Sequence, residues 1–398
     1  MKKVTLSLMV VLIAVVVPMV SLHAKSANSD PIKIGVLIPL TGIFAESGRV
    51  VDMGLKQAFD EVGYQVCGRE VKLIIEDTEG KAATALTKAK KLVESDRVAL
   101  LCGTHSSSAA LAVREYVEEM EIPLIIPSGA VASQISFEKL SKWVYRGSTM
   151  SAQYIYGLAT YLHDVLGYKR AVTMAPDYVY GKESLIEFKK EFEKAGGEVI
   201  QEMLLPFPTM DFAPFLAKID KRADCVFAEF AGADGVRLVK QYKEYGMWNK
   251  YPLTGSGIIL EETLNALGDA AIGIVGSMNY SYNLDTPINK KFVAEYEAKY
   301  GERPGHVSPS AYEVGKSIIM ALDKIQCNTK NKTAFIQAIA DTDFDGPRGR
   351  FRFEKETHSV INTVYIRKVI KKDGELTFEI LKTIPDVKAS DIRKLIES

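Results

Sequence analysis

The sequence predicts an α/β protein with two doubly wound lobes, because short apolar runs alternate with amphipathic helical patterns in two successive series. Residues 98–126 show one such unit: an apolar run ends at Gly103, a small polar loop follows, then a helical pattern and a second apolar run from Pro123. Two runs joined through a helix must lie parallel. Ligands bind at the carboxyl ends of such strands, so we expect loops 103–108 and 128–130 to form half of a small-molecule site.

The first series supplies the elements of one predicted lobe. Runs this apolar suit strands that are buried on both faces. One helical pattern buries Val51, Leu55 and Phe59 and ends at Gly63, where glycine can stop a helix. The predicted strands are 33–38, 71–76, 98–102 and 123–126, with helices over 82–94 and 109–120 and a further extended segment at 143–146.

The second series follows a crossover at 148–151. It predicts strands at 170–174, 198–204, 224–230, 252–254 and 273–277, and helices at 153–166, 182–195, 212–219 and 234–245. Helical patterns then cover 287–300, 309–326 and 332–341, and a strand at 361–369 leads into a hairpin turn at 371–374. The charged tail, 386–398, is predicted to be a loose terminal helix.

Composition excludes several classes of protein. The 398 residues suffice for two domains, and a chain that is 47% hydrophobic and 25% charged is typical of soluble globular proteins. The formal net charge is 0 and no long Lys/Arg run is present, which argues against nucleic-acid binding.

The N-terminus has the pattern of a secretory signal peptide. Lys2 and Lys3 precede an apolar stretch at 4–20, and small residues follow at 21–24. We therefore expect residues 1–24 to be removed and the mature protein to be exported. No later segment approaches the roughly 20 apolar residues that span a bilayer.

The sequence carries no catalytic signature: GxGxxG, Walker A, HExxH, CxxC and GxSxG are all missing. We predict a protein that is not an enzyme and needs no cofactor or metal. Of its four cysteines, Cys102 and Cys225 lie at the ends of predicted core strands and are expected to be packed thiols. Export permits disulfides, so bridging among these two, Cys67 and Cys327 stays open.

Five segments occur in the order and spacing of one known family: KIGVLIPLTG, GTHSSSA, IIPSGA, PDYVYG and FDGPRGRFRF. From Ile34 to about Leu381 the chain resembles the periplasmic binding proteins of branched-chain amino-acid-type ABC importers, the leucine/isoleucine/valine-binding protein family. The resemblance implies the type I periplasmic binding fold, in which two Rossmann-like lobes are joined by three crossover segments around a ligand cleft. Lobe one would hold 31–148 plus 280–355, lobe two 150–277 plus 359–384, and 386–398 would be a C-terminal tail.

The resemblance also implies a function. The protein would be a monomeric, periplasmic substrate-binding component of an ABC importer, which captures a small organic solute by hinge closure and delivers it to a membrane permease. No bond is broken in such capture. The alternative is a ligand-sensing receptor subunit of the same fold that signals to a membrane partner.

Amino-acid-binding relatives hold the ligand carboxylate with a serine at the junction of the third strand and its helix, where Ser106, Ser107 and Ser108 stand here. A helix N-terminus offers free N–H groups to an anion, which fits that role. Relatives hold the ligand ammonium with the last residue of a triplet, here Ser128-Gly129-Ala130, and with an acid whose place is taken by Gly257. Both ammonium-binding groups are missing, so two ligand classes stay open: a hydrophobic amino acid and a small aromatic or aliphatic carboxylate.

Five further residues complete the predicted site. Tyr178 and Tyr180 would close over the ligand from lobe two, and Phe230 would form a second aromatic wall. Ser47 stands where relatives often carry a bulky aromatic residue, and this leaves room for a larger ligand. His105 is unusual at its position and would donate a hydrogen bond to a carboxylate or cap its own loop.

Overall fold

The computed structural model describes residues 30–130 and 132–397. The predicted signal peptide, 1–24, lies outside the described residues. The strands of the described chain are β1 (Ile32–Ile38), β2 (Gln65–Val66), β3 (Arg69–Asp77), β4 (Leu100–Gly103), β5 (Leu124–Ile126), β6 (Val144–Arg146), β7 (Arg170–Pro176), β8 (Glu198–Leu205), β9 (Cys225–Ala228), β10 (Leu253–Thr254), β11 (Val275–Met278), β12 (Asp343–Gly346), β13 (Gly349–Arg352), β14 (Asn362–Lys372) and β15 (Glu375–Val387).

The helices fall between these strands and after β11. They are α1 (Ala45–Asp60), α2 (Ala82–Lys90), α3 (Ser107–Met120), α4 (Ser151–Ile155), α5 (Leu158–Asp164), α6 (Val179–Lys194), α7 (Ala213–Leu216), α8 (Gly232–Glu244), α9 (Leu264–Leu267), α10 (Pro287–Tyr300), α11 (Ser308–Lys324), α12 (Lys332–Ala340) and α13 (Ala389–Glu397). Across the described chain, no helix has both the length and the apolar character needed to cross a membrane.

The first sheet has the order β2-β3-β1-β4-β5-β6 and is parallel except for β2. One of its faces packs with apolar residues of α1, α11 and α12, and the other with those of α2 and α3. Strand order reverses beside β1, so loops after β1 and β4 diverge and leave a crevice at their carboxyl ends.

The second sheet has the order β15-β14-β11-β10-β9-β7-β8, with only the β14 and β15 pairings antiparallel. The chain passes between the two sheets three times: after β6, after β11 and between β13 and β14. The fold is therefore the predicted pair of doubly wound lobes, called here the first and the second lobe after their sheets. The residue boundaries assigned to the lobes stay predictions.

The structure shows which of the four cysteines are bridged and which are free. Cys67 and Cys327 form a disulfide with their Cα atoms 6.1 Å apart, which links the turn after β2 to the segment after α11. Cys102 and Cys225 are free and buried, as predicted.

Three predicted elements differ from the structure. The helix predicted at 153–166 breaks into α4 and α5 at Gly157, whose φ is +82° and where a Cβ would lie 2.1 Å from Cδ1 of Ile384. The strand predicted to reach Phe230 ends at Ala228. The terminal helix is not loose: Ala389, Ile392 and Leu395 are buried, and α13 packs against α4 and α6.

Candidate functional site

A cavity of about 100 Å³ lies where the loops after strands of both sheets meet. A single buried water needs roughly 10–15 Å³ by the same measure, so the cavity holds more than isolated waters and has room for a small organic solute. The cavity sits at the carboxyl ends of the strands, where the fold class places ligands.

The first turns of five helices line this cavity. Each of these helices contributes at least one lining residue: Ser47 from α1, Ser107 from α3, Tyr180 from α6, Gly232 from α8 and Ser310 from α11. A helix N-terminus presents unpaired N–H groups and the positive end of the helix dipole. Helix N-termini favour an anion, although α1 and α8 each carry an acidic residue in the first turn, Glu46 and Asp234.

Ser106 and Ser107, which follow β4, differ in whether their hydroxyl protons are already used in hydrogen bonds within the protein. Ser106 is the N-cap of α3: its Oγ accepts from Ala109 N at 3.2 Å and donates to Gly80 O at 2.9 Å. Ser107 Oγ accepts from Ala132 N at 3.2 Å, and among the described residues no acceptor takes its hydroxyl proton. Ser107, rather than Ser106, therefore has a hydroxyl donor left for a solute.

The loop after β5 brings Gly129 against His105. Gly129 has φ +50°, and a Cβ there would lie 2.2 Å from the backbone oxygen of His105, so the close approach requires glycine. Ser128 Oγ lies 3.2 Å from His105 Nδ1. Burial, and then the charge of His306, lower the pKa of His105 to about 4, so the ring is neutral at pH 7 and serves as a hydrogen-bond partner without a charge.

His306 is held from the opposite lobe by Glu262. Its Nδ1 lies 2.8 Å from Glu262 Oε1, and Glu262 Oε2 also accepts from the His306 backbone N–H at 3.2 Å. Burial alone would lower the pKa of His306, but the charge and hydrogen bond of Glu262 outweigh it and raise the pKa. Burial of Glu262 is likewise outweighed by His306, and its pKa falls to about 2. Both partners are charged between the lowered pKa of Glu262 and the raised pKa of His306.

Arg348 is held within the first lobe by Glu313. Its Nη2 lies 2.6 Å from Glu313 Oε2, and its backbone N–H donates to Glu313 Oε1 at 3.0 Å. Nη2 also donates to Gly147 O at 3.0 Å, whereas Nη1 has only a 3.5 Å contact with Asn362 Oδ1. The guanidinium lines the cavity and keeps donors for an anion.

Glu229 lies behind the second-lobe wall. Its Oε1 accepts from Tyr180 Oη at 2.7 Å, from Gly257 N at 2.8 Å and from Tyr154 Oη at 3.3 Å, and its Oε2 accepts from Ser256 N at 3.0 Å. Burial raises the pKa of Glu229 in spite of these four donors. A Cβ at Gly257 would lie 2.5 Å from Tyr180 Oη, so no larger residue fits at that position.

The lining of the cavity is thus basic and aromatic. Among its described lining residues are Arg348, His105 and His306 but no Asp or Glu. Glu229 and Glu262 lie behind it with their oxygens engaged, and Glu261 is buried in an ion pair with Arg367. Glu261, Glu262 and His306 place ligand atoms within 4.8 Å of one another, as in a metal site, but both carboxylates already have cationic partners.

Ten of the eleven predicted site residues line this one cavity: Ser47, His105, Ser106, Ser107, Ser128, Gly129, Ala130, Tyr178, Tyr180 and Gly257. Phe230 does not. Because β9 ends two residues early, the Phe230 side chain turns into the core of the second lobe, where its ring packs edge-on against Phe212 with centroids 5.3 Å apart. Ala231 and Gly232 face the cavity instead.

Sequence reasoning missed several lining residues. Arg348 lies in the FDGPRGRFRF segment, and an arginine in a tight hairpin was a signal that could have identified it. His306 lies just before a predicted helix, and a histidine next to a helix N-terminus was a similar signal. Tyr154 and Phe44 carried no such signal. Phe44 contacts the His105 ring, with centroids 5.3 Å apart, and the Phe207 ring of the second lobe at 6.5 Å.

Known proteins share this architecture. Residues 31–375 match the family described as periplasmic binding protein. A curated relative from Brucella melitensis, named Leu/Ile/Val-binding protein homolog 6, is 29% identical over 361 residues and covers 89% of this chain and 91% of its own length.

Two solved structures are similar over nearly their whole length. An ABC transporter substrate-binding protein from Sphaerobacter thermophilus is 36% identical with a TM-score of 0.86, covering 90% of this chain and 99% of its own. A solute binding protein of an ABC transporter from Rhodopseudomonas palustris BisB5, in complex with 3,4-dihydroxy benzoic acid, is 29% identical with a TM-score of 0.85, covering 91% and 99%.

Proposed function

The chain belongs to the periplasmic binding protein family, and from this premise we propose that it is the exported substrate-binding component of an ABC importer for a small carboxylate without an α-ammonium group. It captures the solute between its lobes and delivers it to a membrane permease. Its work is binding, with no bond made or broken. Membership of a family of solute-binding proteins and the similarity to ABC transporter components support this role.

The observation that carries the choice of solute is the charge of the cavity lining. Five helix N-termini, Arg348 and His306 meet there, and no described lining residue is acidic. A carboxylate gains charge-assisted hydrogen bonds from these groups. An anion is therefore the favoured occupant.

An α-ammonium group would have no carboxylate partner among the described residues that line this cavity. Ala130 has no hydroxyl and Gly257 has no side chain. Glu229 already accepts hydrogen bonds from tyrosine hydroxyls and backbone amides, and Glu261 is already paired with Arg367. A buried ammonium left without a partner costs several kcal/mol, which the rest of an amino acid would have to offset.

The relatives point to both solute classes. The Brucella melitensis relative is named for leucine, isoleucine and valine, whereas the Rhodopseudomonas palustris structure contains an aromatic acid without an α-amine. The aromatic side chains at this cavity, Phe44, Tyr178 and Tyr180, suit a flat apolar body. This favours the acid.

Contacts between the lobes support capture by hinge closure. His306 meets Glu262 across the cleft, Glu183 of the second lobe accepts from Ser133 N at 2.9 Å and Ser133 Oγ at 3.0 Å, and Phe44 stacks near Phe207. A solute that touches both walls adds to these contacts only when the lobes are together. Binding thereby shifts the population toward the closed form.

Thermal unfolding of the mature protein, refolded to strip bound solute, tests the proposal. The panel pairs leucine with 4-methylpentanoate, phenylalanine with 3-phenylpropanoate, and benzoate with benzamide. A solute at 100 times its Kd stabilises by about 2.7 kcal/mol, which a melt resolves easily. We expect shifts with the acids alone; shifts with the amino acids and none with their des-amino partners would overturn the proposal.

A further inference from the structure

One buried amide joins the three crossover segments by which the chain passes between the lobes. Asn279 directly follows β11, where the second crossover begins. Its Nδ2 donates to Thr149 Oγ1 at 2.7 Å, on the first crossover, and to Asn362 Oδ1 at 3.1 Å, at the end of the third. All three residues are at most 6% exposed. We call Thr149, Asn279 and Asn362 the hinge clamp.

The surrounding hydrogen bonds fix the orientation of the Asn279 amide. Asn362 Nδ2 donates to Val360 O at 3.2 Å, so Asn362 turns its oxygen toward Asn279 and accepts there. The reversed Asn279 amide would set two carbonyl oxygens 3.1 Å apart. Both N–H groups of Asn279 are therefore donors within the hinge clamp, and its Oδ1 has no donor bonded to it among the described residues.

The hinge clamp is also part of the solute cavity. Thr149 and Asn279 line the cavity, whereas Asn362 does not. Arg348, which lines the same cavity, has its Nη1 3.5 Å from Asn362 Oδ1. The amide that holds the three crossovers together is thus in position to contact a bound solute.

The three crossovers are where a rotation of one lobe against the other takes place, because they are the chain connections between the two sheets. Hinges are a few residues that absorb the change in φ and ψ. Hydrogen bonds between crossovers hold them in one relative arrangement. In this structure the arrangement has the lobes in contact, as the hydrogen bonds of Glu183 with Ser133 show.

We propose that Asn279 is a positioning residue that couples solute binding to lobe closure. The hinge clamp forms fully only when the lobes are together, and a solute in the cavity lies against the amide that forms it. The inference rests on the proposed function, since it concerns the capture step at the same site. Loss of the hinge clamp weakens every solute by one common factor, because the lost hydrogen bonds belong to the closed protein and not to any solute.

The test is calorimetry with three acids, benzoate, 3-phenylpropanoate and 4-methylpentanoate, on the mature protein refolded to strip bound solute. Asn279→Leu has a similar volume and lacks both donors, so we expect Kd to rise about ten- to a hundredfold, by the same factor for each acid. Thr149→Val removes one of the two acceptors, so its common factor should be about two- to tenfold. Melts without solute show that both variants are folded.

Asn283→Leu is the matched control. Asn283 lies four residues after Asn279, and its Nδ2 also donates two hydrogen bonds, to Phe378 O at 2.7 Å and to Thr377 Oγ1 at 3.3 Å. Both acceptors belong to β15, so this amide joins no two crossovers, and Asn283 does not line the cavity. We expect the Kd values of all three acids to be unchanged.

Distances between two spin labels measure closure itself. Leu40→Cys and Met210→Cys place the labels at exposed positions of the first and the second lobe, after β1 and β8, and both native free cysteines are buried. We expect Asn279→Leu to show less of the short-distance population than wild type, without solute and at equal benzoate concentrations. A merely structural role would lower the melting temperature and leave the distances unchanged.

The outcomes separate the two claims. Factors that differ among the three acids, together with wild-type distances, would show that Asn279 only contacts the solute, and this would overturn the coupling. Unchanged Kd values in Asn279→Leu would overturn it as well, and the proposed function would stand. If no acid binds to wild type, the proposed function fails, whereas the label distances without solute still decide whether the hinge clamp favours the closed form.

Discussion

The cavity has a basic wall on the first lobe, with Arg348 and His306, and a tyrosine wall on the second lobe, with Tyr154 and Tyr180, and the two use buried glutamates in opposite ways. On the basic wall, Glu313 and Glu262 each pair with a cationic side chain, Arg348 and His306, and keep it charged and oriented toward the cavity. On the tyrosine wall, Glu229 accepts hydrogen bonds from neutral tyrosine hydroxyls and from backbone amides. The same residue type therefore holds cationic side chains on one wall and neutral hydroxyls on the other.

From this comparison we propose that the specificity of this cavity is set one layer behind its lining. None of the three glutamates lines the cavity, yet each decides what a lining residue presents to the solute. Two of the pairs lie within a lobe, whereas Glu262 reaches His306 across the cleft. Only the cross-lobe pair depends on closure.

The largest expected effect is that of breaking the ion pair behind the basic wall. Arg348→Met leaves the Glu313 carboxylate buried, with its side chain only 1% exposed, and without its cation. An uncompensated buried charge of this kind destabilises by about 3–5 kcal/mol. Chemical denaturation should show the loss, and calorimetry should show carboxylate affinity falling by roughly ten- to a hundredfold.

The double variant Arg348→Met, Glu313→Leu separates stability from binding. Removing both charges replaces the pair with apolar groups, so most of the stability should return. The affinity for carboxylates should stay low. If the double variant binds benzoate as wild type does, Arg348 is not part of the anion site and the basic wall is misassigned.

The second effect is on pH dependence and concerns the cross-lobe pair. His306 carries its charge below its raised pKa, so carboxylate affinity should fall by about tenfold as the pH rises through that raised pKa. In Glu262→Gln, burial dominates and lowers the pKa of His306, so affinity should already be low at pH 6 to 7 and change little above it. Titrations of Kd against pH for the two proteins test this; identical profiles would contradict it.

The same pair predicts a window of stability. The pKa of Glu262 is about 2 when folded against 4.5 unfolded, so its contribution is complete above pH 4.5 and is lost as the pH falls through 2. The pKa of His306 is raised from 6.5, so its contribution is complete below pH 6.5 and is lost as the pH rises through the raised value. The pair should therefore stabilise most between pH 4.5 and 6.5.

The smallest effect is on closure alone. Glu183 accepts two hydrogen bonds from Ser133 across the cleft, and it touches neither wall. Glu183→Gln should weaken every solute by about the same factor, roughly two- to fivefold, since it removes charge from a contact made in the closed form. The rank order of acids should not change; a changed rank order would mean that Glu183 acts on the cavity itself.

Most of the fold could be predicted from periodicity. The helix at 287–300 has the predicted bounds, and the turn at 371–374 joins β14 and β15, with positive φ at Asp373 and Gly374. The predictions of secondary structure were wrong where contacts between residues distant in sequence determine the local structure. Gly157 breaks a helix against Ile384, and α13 is held by helices more than 190 residues away. Neither contact leaves a local pattern.

The residues of the candidate site also fall into those that local sequence could predict and those that it could not. The small-residue loops Gly103–Ser108 and 128–130 were predictable because parallel strands bring their carboxyl ends to one edge, a rule that needs no long-range knowledge. Phe230 was misplaced because an apolar run buried on both faces does not show which side each residue takes. Arg348 and His306 come from segments that follow the second lobe in the chain and return to the first.

The sequence by itself determined the alternation of strands and helices and the serine- and glycine-rich loops at strand ends. It also determined that position 130 has no hydroxyl and that position 257 has no side chain. All of these depend only on residue type and spacing. Only the tertiary structure decided which glutamate stands behind which wall. Glu229, Glu262 and Glu313 lie on three different elements, and pairing a buried carboxylate with its partner is a matter of distance and desolvation, which no local pattern records.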